Sequence, residues 1–247
     1  MKADPFAQLK LLDVQELDSR QDQLRHRLAT LPQIAELKEL TARRTDLDNA
    51  ARDARIVVDD LTREQRRADA DVEQVKARRK RDQDRMDQGL ITNPKDLERM
   101  QGELVSLERR ISELEDAELE VMEKLEEAQS GLDSLTARIA ELDEQIATAT
   151  AALDQARAEI EEQLAATAGE RKVTAGDMPE DLMNLYTRLR EQKGGVGAAA
   201  LRARSCGGCS LQLNASELAD IAKTPSDEVL RCEECNRILV RTSESGI

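Results

Sequence analysis

From Leu97 to Ile160 the apolar residues of this chain advance by three, four, three, four without a slip. The series begins Leu97, Met100, Leu104, Leu107, Ile111 and closes Leu153, Ala156, Ile160, and eighteen of its nineteen positions are apolar, Glu118 being the exception. A repeat of 3.5 residues held over nine heptads is the seam of a coiled coil. A helix with such a stripe cannot stand alone in water and must bury the stripe against another helix. The stretch before it supplies one. From Leu37 to Met86 the same repeat runs more faintly, with eleven of fifteen positions apolar and Arg44, Gln65, Arg79 and Asp82 interrupting it.

Between the two arms lies Gly89-Leu90-Ile91-Thr92-Asn93-Pro94-Lys95-Asp96. Gly89 suits the left-handed residue that closes a helix. Asn93 suits an N-cap, Pro94 the first helical position and Asp96 the first turn. The arms are therefore expected to fold back as an antiparallel hairpin, each some 80 Å long at about 1.5 Å per residue. Pairing Met86 with Leu97 and continuing outward sets Gln65 opposite Glu118, a matched polar layer that penalises slipped registers. Nearer the start, Val14, Leu17, Leu24, Leu28 and Leu31 form a further helical stripe, and Thr30-Leu31-Pro32-Gln33 reads as a capping box that kinks the chain near Pro32.

After Gly169 the heptads stop. Asp177-Met178-Pro179-Glu180 opens a short helix with Leu182, Leu185, Tyr186 and Leu189 on its apolar face, and Gly194-Gly195 closes it. The chain's four cysteines all follow, as Cys206-Gly207-Gly208-Cys209 and Cys232-Glu233-Glu234-Cys235, with 22 residues between the pairs. Two such knuckles supply four thiolates for one tetrahedral Zn²⁺. Four sulfur ligands leave no open position for water or substrate, so the expected metal is structural. Disulfides need an oxidising compartment, and Met1 to Pro5 opens no apolar signal-peptide core. A redox pair normally starts a helix beside a βαβ pattern, absent here, and an iron–sulfur cluster, which four thiolates also suit, finds no support in the nearby loops. Asn236, after the last cysteine, tolerates the positive φ such a knuckle requires. Short strands are expected over residues 198–204, 211–213, 229–231 and 238–240. The expected fold is thus mainly α: a coiled-coil hairpin over residues 1–170 with its tip at 89–95, then a short helix and a C4 β zinc ribbon over 171–247.

One Phe, one Tyr, no Trp and one His in 247 residues are unlike a globular enzyme. His26 has no ligand cluster in reach and reads as a solvated helix residue. No membrane span is expected, and no small-molecule substrate. A net charge of −14 disfavours nonspecific nucleic-acid affinity for the whole chain. Two local basic features remain. Lys76 to Arg85 holds six basic residues and two acidic ones, facing a stretch from Asp96 to Glu127 with twelve acidic and four basic, which favours charge matching within the hairpin. In the ribbon, Arg202, Arg204, Arg231, Arg237 and Arg241 are candidates for a basic face on a surface of nearly balanced charge.

The strings ITNPKDLERMQGEL at the tip and MPEDLMNLYTRLREQKGGVGAAALRARSCGGC…RCEECNRILV at the C-terminal end resemble the bacterial C4-type zinc-ribbon coiled-coil hairpin family over nearly the whole chain. The resemblance implies zinc on Cys206, Cys209, Cys232 and Cys235. Some members are linked to flagellar or type III secretion systems, to sigma-54 and to RNA. With 27 Arg against 10 Lys the chain suits the actinobacterial relatives, where sigma-54 is generally absent, so that partner is not carried over. The expected function is a cytoplasmic, non-enzymatic adaptor that meets protein partners at Leu90, Ile91 and Asn93 or through Arg202, Arg204 and Arg237. The alternative is RNA or DNA binding by the ribbon or by the basic tip.

Overall fold

The computed structural model describes residues 1–247 as α1 (Pro5–Ala29), α2 (Pro32–Asp87), α3 (Pro94–Gly176), α4 (Glu180–Gln192), β1 (Ala198–Arg202), β2 (Ser205–Cys206), α5 (Ala215–Lys223), β3 (Leu230–Arg231) and β4 (Ile238–Arg241). The chain divides into two compact units, Ala35–Thr150 and Met1–Ile34 with Ala151–Ile247.

The first unit is the helical hairpin. Its seam is where the heptads put it: every seam position of α3 is buried or half-buried, Glu118 included, and of the α2 positions only Arg79 is exposed. α2 ends in a Schellman turn. Gly89, at φ +68°, donates its N–H to the Met86 carbonyl at 3.0 Å, and Leu90 donates to Arg85 at 3.2 Å. α3 begins under the Asn93 cap, whose Oδ1 accepts from the Lys95 N–H at 3.1 Å.

The ion pairs between the arms favour a register about three residues from the Gln65–Glu118 pairing. Four ion pairs cross between the arms: Arg44–Asp143, Lys76–Glu115, Arg78–Glu103 and Arg79–Glu108. In the expected register Lys76 and Glu115 stand eight residues, or about 12 Å of rise, out of level. The four pairs are instead centred on a register in which Arg79 lies level with Leu107 and Arg44 with Leu142. Gln65 is then level with Val121 and Glu118 with Ala68, and Gln65 makes no hydrogen bond to Glu118. The physical reason lies in the spacing. When one arm is read backwards, its steps stay in phase with the other arm only if a position followed by three faces a position preceded by three. Pairing like positions puts alternate layers one residue out of step.

The second unit is built on α1. Leu11 and Val14 pack with Leu182, Tyr186 and Leu189 of α4 and with Ala198, Ile238 and Val240 of the sheet. The expected division at residue 170 is not where the packing divides: α1 belongs with α4 and the ribbon, and α3 runs unbroken through Gly169 to Gly176. At Pro32 the helix does break, but without the expected capping box. The Thr30 hydroxyl turns back and donates to the His26 carbonyl at 2.8 Å, closing α1, and Gln33 Oε1 is buried without a partner.

The sheet order is β2-β1-β4-β3, with β1 and β4 parallel and the outer pairs antiparallel. Side chains alternate across it. Ala198, Ile238 and Val240 face α1 and α4, while Ala199, Leu201 and Leu239 join Cys206, Cys232, Leu213 and Ile221 in a second small core. Residues 211–213 give only a single bridge, Gln212 to Ser205.

Candidate metal centre

The two knuckles are near copies. Cys206 N–H donates to the Leu211 carbonyl and Cys232 N–H to that of Arg237, five residues on in each case. Ser210 N–H returns to Cys206 O and Asn236 N–H to Cys232 O, both at 2.8 Å. The residue after each second cysteine is left-handed, with φ of 60° at Ser210 and 61° at Asn236. Gly208 N–H points at Cys206 Sγ at 3.4 Å, and a Cβ there would sit 2.7 Å from Arg237 Cδ and displace that side chain.

These turns bring four sulfurs within 4.8 Å of one another. Cys206 Sγ lies 3.8 Å from Cys235 Sγ, and Cys209 Sγ lies 3.9 Å from Cys232 Sγ. Four thiolates at about 2.3 Å from one Zn²⁺ stand about 3.8 Å apart along the tetrahedron edges, the separation these two pairs already have. Burial pushes the Cys206 thiol up and that of Cys232 up to about 12. Burial acts on Cys235 in the same sense, but the Arg237 backbone N–H and neighbouring donors outweigh it and bring Cys235 to about 7. Thiols held neutral by burial are the groups a cation must deprotonate, so metal binding releases protons and contributes to folding. One structural zinc held by Cys206, Cys209, Cys232 and Cys235 is the site this geometry builds.

The expected basic face of the ribbon is largely turned onto its own backbone. Arg237 donates to the carbonyls of Val196 and Lys193, both at 2.9 Å. Arg241 holds the C-terminal end of α5 through Thr224 O at 2.7 Å and Pro225 O at 2.6 Å. Arg204 donates to Gly246 O, Arg231 to Asn236 O, and Arg202 pairs with Glu244. In the hairpin, Lys76, Arg78 and Arg79 are ion-paired across the arms, while Lys80, Arg81 and Arg85 carry no ion pair. At the tip Leu90 is 65% exposed, Ile91 half-buried, and Asn93 serves as the cap already described. His26 is exposed, as expected.

Three features lay outside the sequence reading. The helix α5 is capped by a reciprocal box between Asn214 and Glu217, a signal present as Asn214-Ala215-Ser216-Glu217. The chain start pairs with the ribbon: Val229 N–H donates to Met1 O at 3.0 Å and Ala3 N–H to Asp227 O at 2.7 Å. So the chain start covers the ribbon over residues 227–229. Finally, Asp18, 4% exposed, ties three helices together, accepting from Arg171 Nε at 2.5 Å and from the Tyr186 hydroxyl at 2.8 Å.

A long helical hairpin joined in one chain to a four-thiolate ribbon defines a class of zinc-ribbon coiled-coil proteins. Residues 14–194 match the model of the CT398-like coiled coil hairpin domain, and residues 205–239 that of the C4-type zinc ribbon domain. The chain belongs to this CT398-like family. It is 35% identical over 241 residues to the uncharacterized protein Rv2229c of Mycobacterium tuberculosis, covering 98% of each. A solved structure from Mycobacterium smegmatis is 31% identical, with a TM-score of 0.85 over 98% of this chain and 100% of that one. CT398 from Chlamydia trachomatis, at 18% identity, shares the fold with a TM-score of 0.65 over 96% of this chain and 98% of its own. No helix is long and apolar enough to cross a membrane.

Proposed function

We propose that this zinc-binding structural protein is a non-enzymatic cytoplasmic adaptor that presents its hairpin and its ribbon to protein partners. The observation that carries this reading is the use of the charged side chains around the metal. Of the five ribbon arginines, four donate to main-chain carbonyls of the ribbon itself and the fifth is paired with Glu244. A surface built to hold phosphate keeps such donors free. The metal offers no chemistry in their place, because four sulfurs fill its coordination shell. Four thiols that must remain reduced to bind it suit a reducing compartment. Exposed Leu90 at the tip gives the hairpin an apolar contact that its turn does not require.

The reading is tested by paired assays on the zinc-loaded chain. Capture from native cytosol is expected to return a defined protein that Leu90→Ser with Ile91→Ser, or loss of residues 197–247, releases. Gel shifts with RNA and duplex DNA are expected to show no complex at physiological salt. A nucleic-acid complex that weakens steeply as salt rises decides for the alternative.

A further inference from the structure

One flank of the hairpin is stapled by charge, and the stapling has a gap. On α3, Glu108, Glu115, Met122, Gln129, Thr136 and Asp143 recur at seven-residue intervals and so share one side of the helix, next to the seam. Glu108, Glu115 and Asp143 reach across to Arg79, Lys76 and Arg44. No ion pair crosses between the arms from Lys76 back to Arg44. Over that stretch the flank carries Met122, 42% exposed, and Leu119, one turn earlier and 56% exposed. Single exposed apolar side chains are ordinary on a protein surface. These two lie together, on the flank where α3 elsewhere places carboxylates.

The gap is a groove of about 720 Å³, wholly within the Ala35–Thr150 unit. Leu119, Met122 and the half-buried seam residue Leu125 make its apolar part, and Thr62 and Gln65 line it from α2. Its rim is Glu123, Glu126 and Asp133, and no lysine or arginine lines it. None of the three carboxylates takes part in an ion pair; Asp133 accepts only from Gln129 Nε2, at 3.0 Å. From Leu119 to Asp133 the groove follows the rod for about 21 Å, about four turns of a helix laid beside it.

Charge selects the occupant. A rim of carboxylates repels phosphate, so nucleic acid does not suit the groove. A second copy meeting this one through the same face brings the same carboxylates to it. A cationic helix with an apolar stripe complements both parts of the lining. We propose that the groove docks an amphipathic helix of a partner protein, apolar on one face and rich in lysine or arginine on its flanks. The helix lies along the hairpin as a third member of the bundle. Its apolar residues, spaced three and four apart, pack on Leu119, Met122 and Leu125, and its cations meet Glu123, Glu126 and Asp133. This contact on the shaft goes beyond the tip and ribbon contacts of the adaptor reading and does not depend on them.

The probe is a fluorescein-labelled peptide of three heptads, with leucine at the seam positions and lysine and alanine elsewhere, titrated against the full zinc-loaded chain. Its controls are a scrambled peptide of the same composition and the same peptide with glutamate for lysine. Anisotropy reads binding. The ε-methyl signals of the chain's six methionines read its place, that of Met122 being identified by its loss in Met122→Leu. The leucine–lysine peptide is expected to bind, more weakly as salt rises, and to shift the Met122 signal while Met86 and Met100 stay in place. The scrambled peptide is expected to bind at least tenfold more weakly and the glutamate peptide not at all. Leu119→Gln with Met122→Gln leaves the charge unchanged and is expected to weaken binding at least tenfold with the thermal transition unmoved. Should that variant melt earlier, Glu123→Gln with Glu126→Gln decides: binding at least threefold weaker supports the proposal, and unchanged binding overturns it. No binding, equal binding of the scrambled peptide, equal binding by a normally melting glutamine variant, or a stationary Met122 signal each overturns it. So does a dimer of the chain in sedimentation that the glutamine variant abolishes, because a second copy then covers the groove.

Discussion

Removing the Asp18 carboxylate is expected to cost the α1–α4–ribbon unit about 3 kcal/mol. Asp18 sits on α1 with its side chain 5% exposed, and accepts from Arg171 of α3 and Tyr186 of α4 while Arg190 Nε stands 3.7 Å away. Asp18→Ala leaves the fully buried Tyr186 hydroxyl without a partner, a loss of about 1–3 kcal/mol. It also leaves two guanidinium groups facing each other with no carboxylate between them. Breaking a buried pair from one side costs about 3–5 kcal/mol, but Arg171 is 32% exposed and can turn to water, so the low end applies. Spread over a unit of about 130 residues, with an unfolding entropy of about 2.1 cal/mol/K per residue, this lowers its transition by about 11 °C. The assay is built in, because Tyr186 is the chain's one tyrosine and its fluorescence follows this unit alone. Asp22→Ala is the control: Asp22 is 43% exposed, pairs with Arg25 and Arg190, and is expected to cost less than about 1 kcal/mol. A Tyr186 transition moved no further by Asp18→Ala than by Asp22→Ala refutes the reasoning.

Burial, then the bond to Asp18, push the Tyr186 hydroxyl well above its ordinary value of 10.0. The folded state therefore binds this proton more tightly than the unfolded state, and its stabilising effect is complete below pH 10 and declines as pH rises above it; absorbance at alkaline pH should show tyrosinate only as the unit unfolds. Gln65→Leu should stabilise the hairpin by about 1 kcal/mol in thermal melts, since Gln65 lies half-buried level with apolar Val121, whereas a matched layer with Glu118 predicts a loss. Cys232→Ser should abolish zinc binding and order in the ribbon while far-UV dichroism keeps the helical signal of residues 35–150. The Tyr186 environment should change as well, because β1 and β4 contribute to both cores of its unit.

The hairpin and the metal ligands were legible because each follows from local chemistry repeated in sequence: a 3.5-residue period on both arms, turn residues at Gly89 and Asn93, and two matched knuckles. The register was also within reach, since the three-four spacing alone requires unlike seam positions to face one another, but residue chemistry at Gln65 and Glu118 pointed half a heptad away. Helix α5 carried its signal in Asn214 and Glu217 and was obscured by the expectation of strands around the cysteines. The stripe on α1 was readable only in part. Gln8, Gln15, Asp18 and Gln21 are buried there, and nothing in their polarity announces it; each is buried because a distant group meets it, as the Gln15 amide meets Gly195 O and Gly197 N–H. The basic face of the ribbon failed for the same reason. A sequence shows that five arginines are present, but not that their donors are directed to carbonyls elsewhere in the chain.

The closed metal site is tested most directly by X-ray absorption at the zinc edge of the purified chain, with metal content measured on the same sample. One zinc per chain is expected, with four sulfur scatterers at about 2.3 Å and no nitrogen or oxygen in the shell. A light-atom ligand, or three sulfurs and an open position, contradicts a purely structural role, and iron in place of zinc contradicts the assignment of the metal itself.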